Sequence, residues 1–353
     1  MRSAVVLRDS RDTRLSFWGW TSAAGLCYSR GMKRLLGYKY DIFLLITTLL
    51  WGSTFLTTEY ILREVDMMTF LWVRNILAAV VLLFIFGRYL RTFTWRALGA
   101  AAILGALLFA GGVLQTGGMV FTTPEKSAFI TSFQNLFVPF LSLFFLRKKP
   151  SIFSVAGLIC AFIGMYFITY GSSPLGFAGG WGFIGGWGIG ETFTLISAFM
   201  WAWYIIFISK FSLKHNAYFM CIVQLAVAGA LFGIVSIFTG ARPVPNTLSA
   251  WLPIIYISVF ASAGSLVFMM LGQRHTSPTR AAVIYTMEPV FALIIGLLIP
   301  SFDGTYALAN APTLIGGGAI VFGVLVSEIG PLMFGRSPEE AEEAEETSHT
   351  MDS

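Results

Sequence analysis

The sequence predicts an all-α polytopic membrane protein, with ten transmembrane helices arranged as two inverted five-helix repeats and with both termini in the cytoplasm. Three observations support this fold class. The composition is 56% hydrophobic and only 12% charged, whereas soluble domains carry about 25% charged residues. Long apolar runs recur along the chain, separated by basic residues in a one-sided pattern. The two halves of the chain also share short stretches of similar sequence.

The helices are predicted from the apolar runs. A transmembrane helix needs about 20 mostly apolar residues, and such runs repeat through the chain. They fall near residues 41–60, 67–87, 97–120, 126–146, 151–170, 191–211, 217–239, 250–272, 278–300 and 311–334. The connections between them are short, which predicts one compact bundle without an inserted soluble domain.

The orientation is predicted from Lys and Arg, which are enriched in cytoplasmic loops. With a cytoplasmic N-terminus, most of the 23 Lys and Arg residues fall on the cytoplasmic side. The predicted outer loops hold only Arg63, Lys126 and Arg242. This topology explains the net charge of +5, so we expect no nucleic-acid partner.

The two ends of the chain differ from the apolar bundle. Residues 1–40 form an N-terminal extension, and we expect its first part, up to about residue 31, to be disordered or to result from a mis-assigned start, with a transit peptide as the alternative. Met32 is a natural start for the protein, because basic residues and then the first apolar run follow it. Residues 335–353 are acidic and lack aromatics, so we expect a disordered tail.

A weak internal repeat relates the two halves of the chain. "TTPEKSAFIT" (122–131) resembles "TSPTRAAVIY" (276–285), in a register that pairs Pro124 with Pro278. The fifth and tenth runs each place two glycines seven residues apart, Gly157 with Gly164 and Gly316 with Gly323. Such small residues allow close helix approach, and ordinary helix packing is our preferred interpretation of them.

The repeat defines two domains of opposite orientation. Because each half has five predicted helices, an odd number, the second half enters the membrane in the opposite sense. The first repeat spans 41–170 and the second spans 191–334, joined by a Gly-rich extracytoplasmic linker over 171–190. Two inverted five-helix repeats around a mid-membrane site are typical of secondary transporters.

Several stretches in this order resemble one known family. They are "LLWGSTF" (49–55), "LWVRNILAAVVLL" (71–83), "TTPEKSAFITSFQNLFVPFLSLFF" (122–145), "TSPTRAAVIYTMEPVFALIIG" (276–296) and "LIGGGAIVFGVLV" (314–326). Together they resemble the drug/metabolite transporter superfamily, in its ten-helix EamA-type branch. Many relatives follow the fourth and ninth helices with Gly-Glu, whereas this chain has "LRKKP" and "IPSFDG" there. The resemblance implies a carrier that moves a small metabolite or drug, often outward, by facilitated diffusion or proton exchange.

Ionisable residues inside a membrane are expensive and usually face a cavity or a partner. Within the predicted helices they are few, namely Glu59, Arg74, Glu191 and Glu288. Glu288 is the deepest acid, and the following Pro289 has no amide hydrogen and is expected to kink its helix. We interpret this stretch as a cavity wall, with Glu288 binding a substrate amine or carrying a proton. The alternative is a buried glutamate that fixes helix packing through Arg74 or a hydroxyl.

Uncharged polar residues extend this predicted patch. In the repeat register, Gln134 and Asn135 of the fourth helix match Glu288 and Pro289, so that both halves present polar groups at one depth. We therefore predict a substrate site between the repeats. Arg74 is expected to anchor helices, pair with Glu288, or meet an anionic group of the substrate.

Aromatic residues complete the predicted cavity. Trp51 in the first helix and Trp201 in the sixth hold matching positions, and Tyr204 and Tyr285 lie in the same stretches as Trp201 and Glu288. Flat rings suit apolar or aromatic solutes and cations. Because 16% of the chain is aromatic, simple packing against lipid or other helices is the alternative.

The remaining motifs argue against other classes. The three cysteines and three histidines form no metal or catalytic cluster, so we expect no metal, no cofactor and no enzyme. A membrane-embedded enzyme acting on a lipid or lipid-linked substrate is the alternative function, and a channel would need a repeated polar ring. The sequence predicts a multi-pass integral protein of the plasma membrane, the inner membrane in bacteria. Proton coupling and the choice between monomer and homodimer stay open.

Overall fold

The computed structural model describes residues 39–122, 127, 130–147, 149–170, 188–241, 248–299 and 311–334. Among these residues every regular element is a helix, as the composition predicts. The predicted N-terminal extension up to residue 38, most of the linker and the acidic tail lie outside the described residues.

The α-helices are numbered here in chain order. They are α1 (39–52), α2 (Thr54–Glu64), α3 (Met67–Phe86), α4 (Trp95–Phe121), α5 (Phe133–Leu141), α6 (Ile152–Tyr170), α7 (Ile189–Phe211), α8 (Ala217–Phe238), α9 (Leu248–Tyr256), α10 (Ser265–Gln273), α11 (Pro278–Tyr285), α12 (Glu288–Leu298) and α13 (Ala311–Phe334). A 3₁₀ segment, Gly87–Thr92, continues α3.

Six helical segments in the described residues are long and apolar enough to cross a membrane. They are Met67–Thr92, Trp95–Phe121, Ile189–Phe211, Ala217–Phe238, Trp251–Gln273 and Pro278–Leu298. Three shorter apolar helices, Phe133–Leu146, Ile152–Phe167 and Ala311–Ser327, accompany them. The membrane-protein class is therefore confirmed, whereas the count of ten crossings, the inverted relation and the location of both termini stay predictions.

The helix starts follow from local capping chemistry. Thr94 Oγ1 accepts from the amide N–H of Ala97 at 3.1 Å, and Ser277 Oγ accepts from that of Arg280 at 3.3 Å. Each side chain satisfies one of the amides that have no partner within the helix at its N-terminus. Asn216 caps α8 in the same way.

Two helices continue into π-helical segments. Ser142–Leu146 follows α5, which contains Pro139, and Ile257–Gly264 follows α9, which contains Pro253. Proline removes one helical hydrogen bond, and local irregularity near it is expected.

Glycines set the closest helix contacts. α6 and α13 cross where Gly157 meets the carbonyl oxygen of Gly323 and Gly164 meets that of Gly316. A side chain at Gly157, Gly164 or Gly323 would overlap the facing backbone. The glycines seven residues apart in the sequence therefore mark a helix crossing, which agrees with the packing interpretation.

Candidate functional site

A central cavity of about 150 Å³ lies between helices from both halves of the chain. One water needs roughly 10–15 Å³ of such space, so the cavity has room for on the order of ten waters or a small organic solute. Six of the residues predicted from the sequence line this cavity. They are Trp51, Arg74, Gln134, Trp201, Tyr204 and Glu288.

Two predicted residues, Asn135 and Tyr285, lie outside the cavity lining. Asn135 is 2% exposed and follows Gln134 directly in α5. Successive helical residues point about 100° apart, so Gln134 faces the cavity and Asn135 packs behind it. Tyr285 is 1% exposed, and its hydroxyl accepts a hydrogen bond from Gln273 Nε2 at 3.0 Å.

The two predicted tryptophans make matching hydrogen bonds across the halves. Trp51 Nε1 donates to Ser265 Oγ, and Trp201 Nε1 donates to Gln115 Oε1, each at 3.1 Å. The same sequence offset separates Trp51 from Trp201 and Gln115 from Ser265. Each tryptophan is thereby fixed, at the cavity wall, to a helix from the opposite half of the chain.

Close packing places Trp201 in this position. A Cβ on Gly111 would lie 2.9 Å from the indole ring of Trp201, so only glycine leaves room for the ring beside α4. One turn further on, the Tyr204 hydroxyl donates to Gln224 Oε1 at 2.9 Å. Both rings are therefore held by packing and by a hydrogen bond, which keeps the wall preorganised.

Arg74 is held at the cavity by a neighbour that the sequence did not reveal. Its Nε donates to Ser262 Oγ at 2.6 Å, and its guanidinium carbon lies 5.9 Å from the centre of the Phe70 ring, one helical turn earlier. Ser262 belongs to the π-helical segment and also lines the cavity. A serine in an apolar run is too common to single out from sequence alone.

Arg74 and Glu288 both line the cavity, but they are not paired with each other. Arg280 Nη2 does form an ion pair, with Asp41 Oδ2 at 2.8 Å, away from the cavity. The structure therefore does not show the predicted alternative in which Arg74 fixes Glu288 by an ion pair. One basic and one acidic side chain face the same space.

Glu288 lies at a break between two helices. α11 ends at Tyr285, α12 begins at Glu288, and Thr286 and Met287 form the turn between them. The amide of Met287 bonds to the carbonyl of Ile284 at 3.0 Å, a tighter spacing than in an α-helix. Pro289 lies at the start of α12, where its missing N–H is tolerated.

The same break occurs at the matching place in the first half. The helical residues 130–131 are separated from α5 by a turn at Ser132, and the repeat register pairs Ser132 with Thr286. The amide of Asn135 bonds to the carbonyl of Ser132 at 3.0 Å. Since Asn135 stands where the second half has Pro289, the first half breaks here without a proline.

Further lining residues were missing from the predicted site. Gln115 and Thr116 come from α4, Thr131 lies just before α5, and Ser262 comes from the π-helical segment. Gln115 was visible in the sequence as a polar residue within an apolar run, which is the one signal that could have selected it. The threonines and the serine carry no such signal.

Comparisons with known proteins agree with this architecture. The sequence profile of the EamA-like transporter family matches residues 38–170 and 188–329. An uncharacterized transporter of Archaeoglobus fulgidus is 27% identical over 271 residues, 77% of this chain and 80% of that protein. The uncharacterized inner membrane transporter YedA of Escherichia coli K12 is 26% identical over 298 residues, 82% of this chain and 90% of that protein.

A solved crystal structure shares the fold. It superposes with a TM-score of 0.68, at 16% sequence identity, and covers 83% of this chain and 97% of that one. Together with the apolar helices, the family match identifies a multi-pass integral membrane protein, as predicted. The chain is a membrane transporter and belongs to the EamA-like transporter family, within the drug/metabolite transporter superfamily.

Proposed function

We propose that the chain is a secondary transporter that exports a small metabolite or drug-like solute by alternating access. The observation that carries this proposal is the central cavity, whose wall contains residues of both halves and the two matching tryptophans. A mid-membrane site between structural repeats is the usual plan of secondary transporters. Export is the direction that the family resemblance implies.

Two inverted five-helix repeats, 41–170 and 191–334, form the proposed transport unit, with both termini in the cytoplasm. The family profile matches the chain in two blocks that nearly coincide with these halves. Two pairs of matching contacts support a pseudo-twofold relation between them. A rotation that exchanges the halves converts the Trp51–Ser265 bond into the Trp201–Gln115 bond, and the Gly157–Gly323 contact into the Gly164–Gly316 contact.

The cavity chemistry assigns a role to each charged side chain. Arg74 is proposed to meet an anionic group of the solute, because its guanidinium faces the cavity and is anchored by Ser262 rather than neutralised by Glu288. Glu288 is proposed to bind an amine of the solute or to carry a coupled proton. Trp51, Trp201 and Tyr204 provide flat surfaces for the apolar part of the solute.

The test is transport by the purified protein in liposomes. A thermal-shift screen of amino acids, nucleosides, sugars and cationic drugs first identifies a binder, and its movement down a gradient is then measured without ATP. We expect uptake that saturates and exchanges with unlabelled solute on the other side. If the protein instead shows hydrolytic or transferase activity on lipids, the carrier assignment is wrong.

A further inference from the structure

The residues that line the cavity do not reach one end of the molecule. At this end, called here the His275 end, Tyr40 stacks on His275 with ring centres 3.8 Å apart. At the opposite end, the Gly190 end, Gly118 of α4 packs against Gly190 of α7. On α4 the lining residues run from Leu108 to Met119, so the cavity extends toward the Gly190 end.

A chain of hydrogen bonds lies between the His275 end and the part of the cavity nearest to it, called here the cavity floor. Ser209 Oγ donates to Gln273 Oε1 at 3.3 Å, and Gln273 Nε2 donates to the Tyr285 hydroxyl at 3.0 Å. The Tyr285 ring in turn lies 5.6 Å from the Trp51 ring, which forms part of the cavity wall. These three polar residues are 7%, 2% and 1% exposed, in the order of the bonds.

This chain of hydrogen bonds joins helices from the two sides of the cavity. α7, which carries Ser209, packs on α4 through the contact of Trp201 with Gly111. α10, which carries Gln273, packs on α1, where a Cβ on Gly272 would lie 2.6 Å from Leu44. The Ser209–Gln273 bond therefore links α7 to α10, and it must break if these two helices part at the His275 end.

Polar groups suit a surface that is alternately buried and wet. Buried polar groups are costly unless they are hydrogen-bonded, and here they bond to each other. After opening, water can satisfy the same groups. One neutral hydrogen bond changes an equilibrium only roughly two- to tenfold, so this closure is reversible on the scale that a transport cycle needs.

The repeat register places different side chains at the two ends. The position that Tyr285 holds in the second half is held by Thr131 in the first half. Thr131 lines the cavity on the Gly190 side, and its hydroxyl accepts from Gln115 Nε2 at 3.5 Å. At matching places, the first half thus has a small side chain that lines the cavity, and the second half has a large buried ring.

We propose that Tyr285, held by Gln273 and Ser209, is the gate of the transport pathway at the His275 end. The three residues are buried and hydrogen-bonded to one another in this structure, and loss of the two hydrogen bonds opens the cavity toward that end. The inference rests on the proposed alternating-access function, and it gives Tyr285 a positioning role instead of the predicted contact with the solute.

The test measures access to the cavity floor from each face. Met269 lines the cavity, and Met269→Cys in a background without the three native cysteines supplies one reactive thiol. A membrane-impermeant methanethiosulfonate reagent is added to one face of oriented vesicles at a time. We expect Tyr285→Phe and Ser209→Ala each to raise the rate of labelling from the His275 face roughly two- to tenfold and to lower the rate from the other face.

Tyr218→Phe is the matched control, since it removes a hydroxyl from a ring stacked on Phe86, outside the cavity lining. It should change neither rate. Unchanged labelling from both faces in Tyr285→Phe and Ser209→Ala would overturn the gate, as would equal access from both faces in the parent protein. This labelling assay needs no solute, so failure of the gate proposal can be distinguished from failure of the proposed transport function. A transporter that lacks this gate would still move solute in liposomes.

Discussion

Gly52 lies so close to Glu288 that a Cβ on Gly52 would stand 2.9 Å from the Glu288 carbonyl oxygen. The same Cβ would lie 3.0 Å from the amide nitrogen of Ala292. The end of α1 is thus pressed against the helix break that presents Glu288 to the cavity. Both elements are interrupted at this contact, α1 at Ser53 and the second helix at Thr286 and Met287.

Gly52→Ala should therefore destabilise the protein and disturb the cavity. An added methyl group that meets backbone on the facing helix cannot be relieved by a side-chain rotation, and such overpacking typically costs about 1–3 kcal/mol. We expect a lower unfolding temperature in detergent, and weaker solute binding because the Glu288 segment is displaced.

Gly117→Ala provides the control for this prediction. A Cβ on Gly117, which also lies in a helix, would meet nothing within 4 Å. Alanine favours helix over glycine by about 0.5–1 kcal/mol, so the control should be neutral or slightly stabilising. Equal unfolding temperatures for the two variants would show that the Gly52 contact is not tight.

The sequence allowed the fold class to be predicted because membrane helices carry their signal locally, in length and composition. The charged cavity residues Arg74 and Glu288 could be predicted because burying a charged group in a membrane costs free energy. Such residues are therefore rare in apolar runs and stand out in the sequence. Ser262 carries no such signal, since its role depends on a hydrogen bond to Arg74 across two helices. Tyr285 was placed in the cavity because sequence proximity to Glu288 does not reveal which side of a helix break a ring occupies.

The crossing of α6 and α13 gives a second stability prediction. Gly323→Val places a branched side chain against the backbone of Gly157 and should lower the unfolding temperature strongly, since the two helices must separate. Gly318→Val in the same helix is the control, because a Cβ there meets nothing within 4 Å. If both variants unfold at the same temperature, the glycine contact does not hold the helices together.

The role of Glu288 can be tested by its dependence on pH. Glu288→Gln keeps the size of the side chain and removes its ability to exchange a proton. If Glu288 carries the coupled proton, uptake by this variant should lose the pH dependence of the parent protein while still showing solute exchange. A variant with the parent's pH profile would exclude Glu288 as the proton carrier, and lost affinity for amines alone would support direct solute binding.

The Trp201–Gln115 pair predicts a coupled effect on solute affinity. Trp201→Phe keeps an aromatic ring at the cavity but removes the N–H that donates to Gln115 at 3.1 Å. We expect the dissociation constant of the transported solute to rise roughly two- to tenfold, the change that one neutral hydrogen bond supports. Trp95→Phe, at a position that is 78% exposed, should leave the dissociation constant unchanged.

A double-mutant cycle separates this bond from general damage to the cavity. If Trp201 acts through Gln115, then the single variant Gln115→Ala should bind the solute more weakly than the parent protein. The double variant with Trp201→Phe should then bind only slightly more weakly than Gln115→Ala. The equivalent bond from Trp51 to Ser265 should behave in the same way with Trp51→Phe and Ser265→Ala. Fully additive effects at both pairs would mean that the indole hydrogen bonds do not position the rings, and that the tryptophans contribute only their surface.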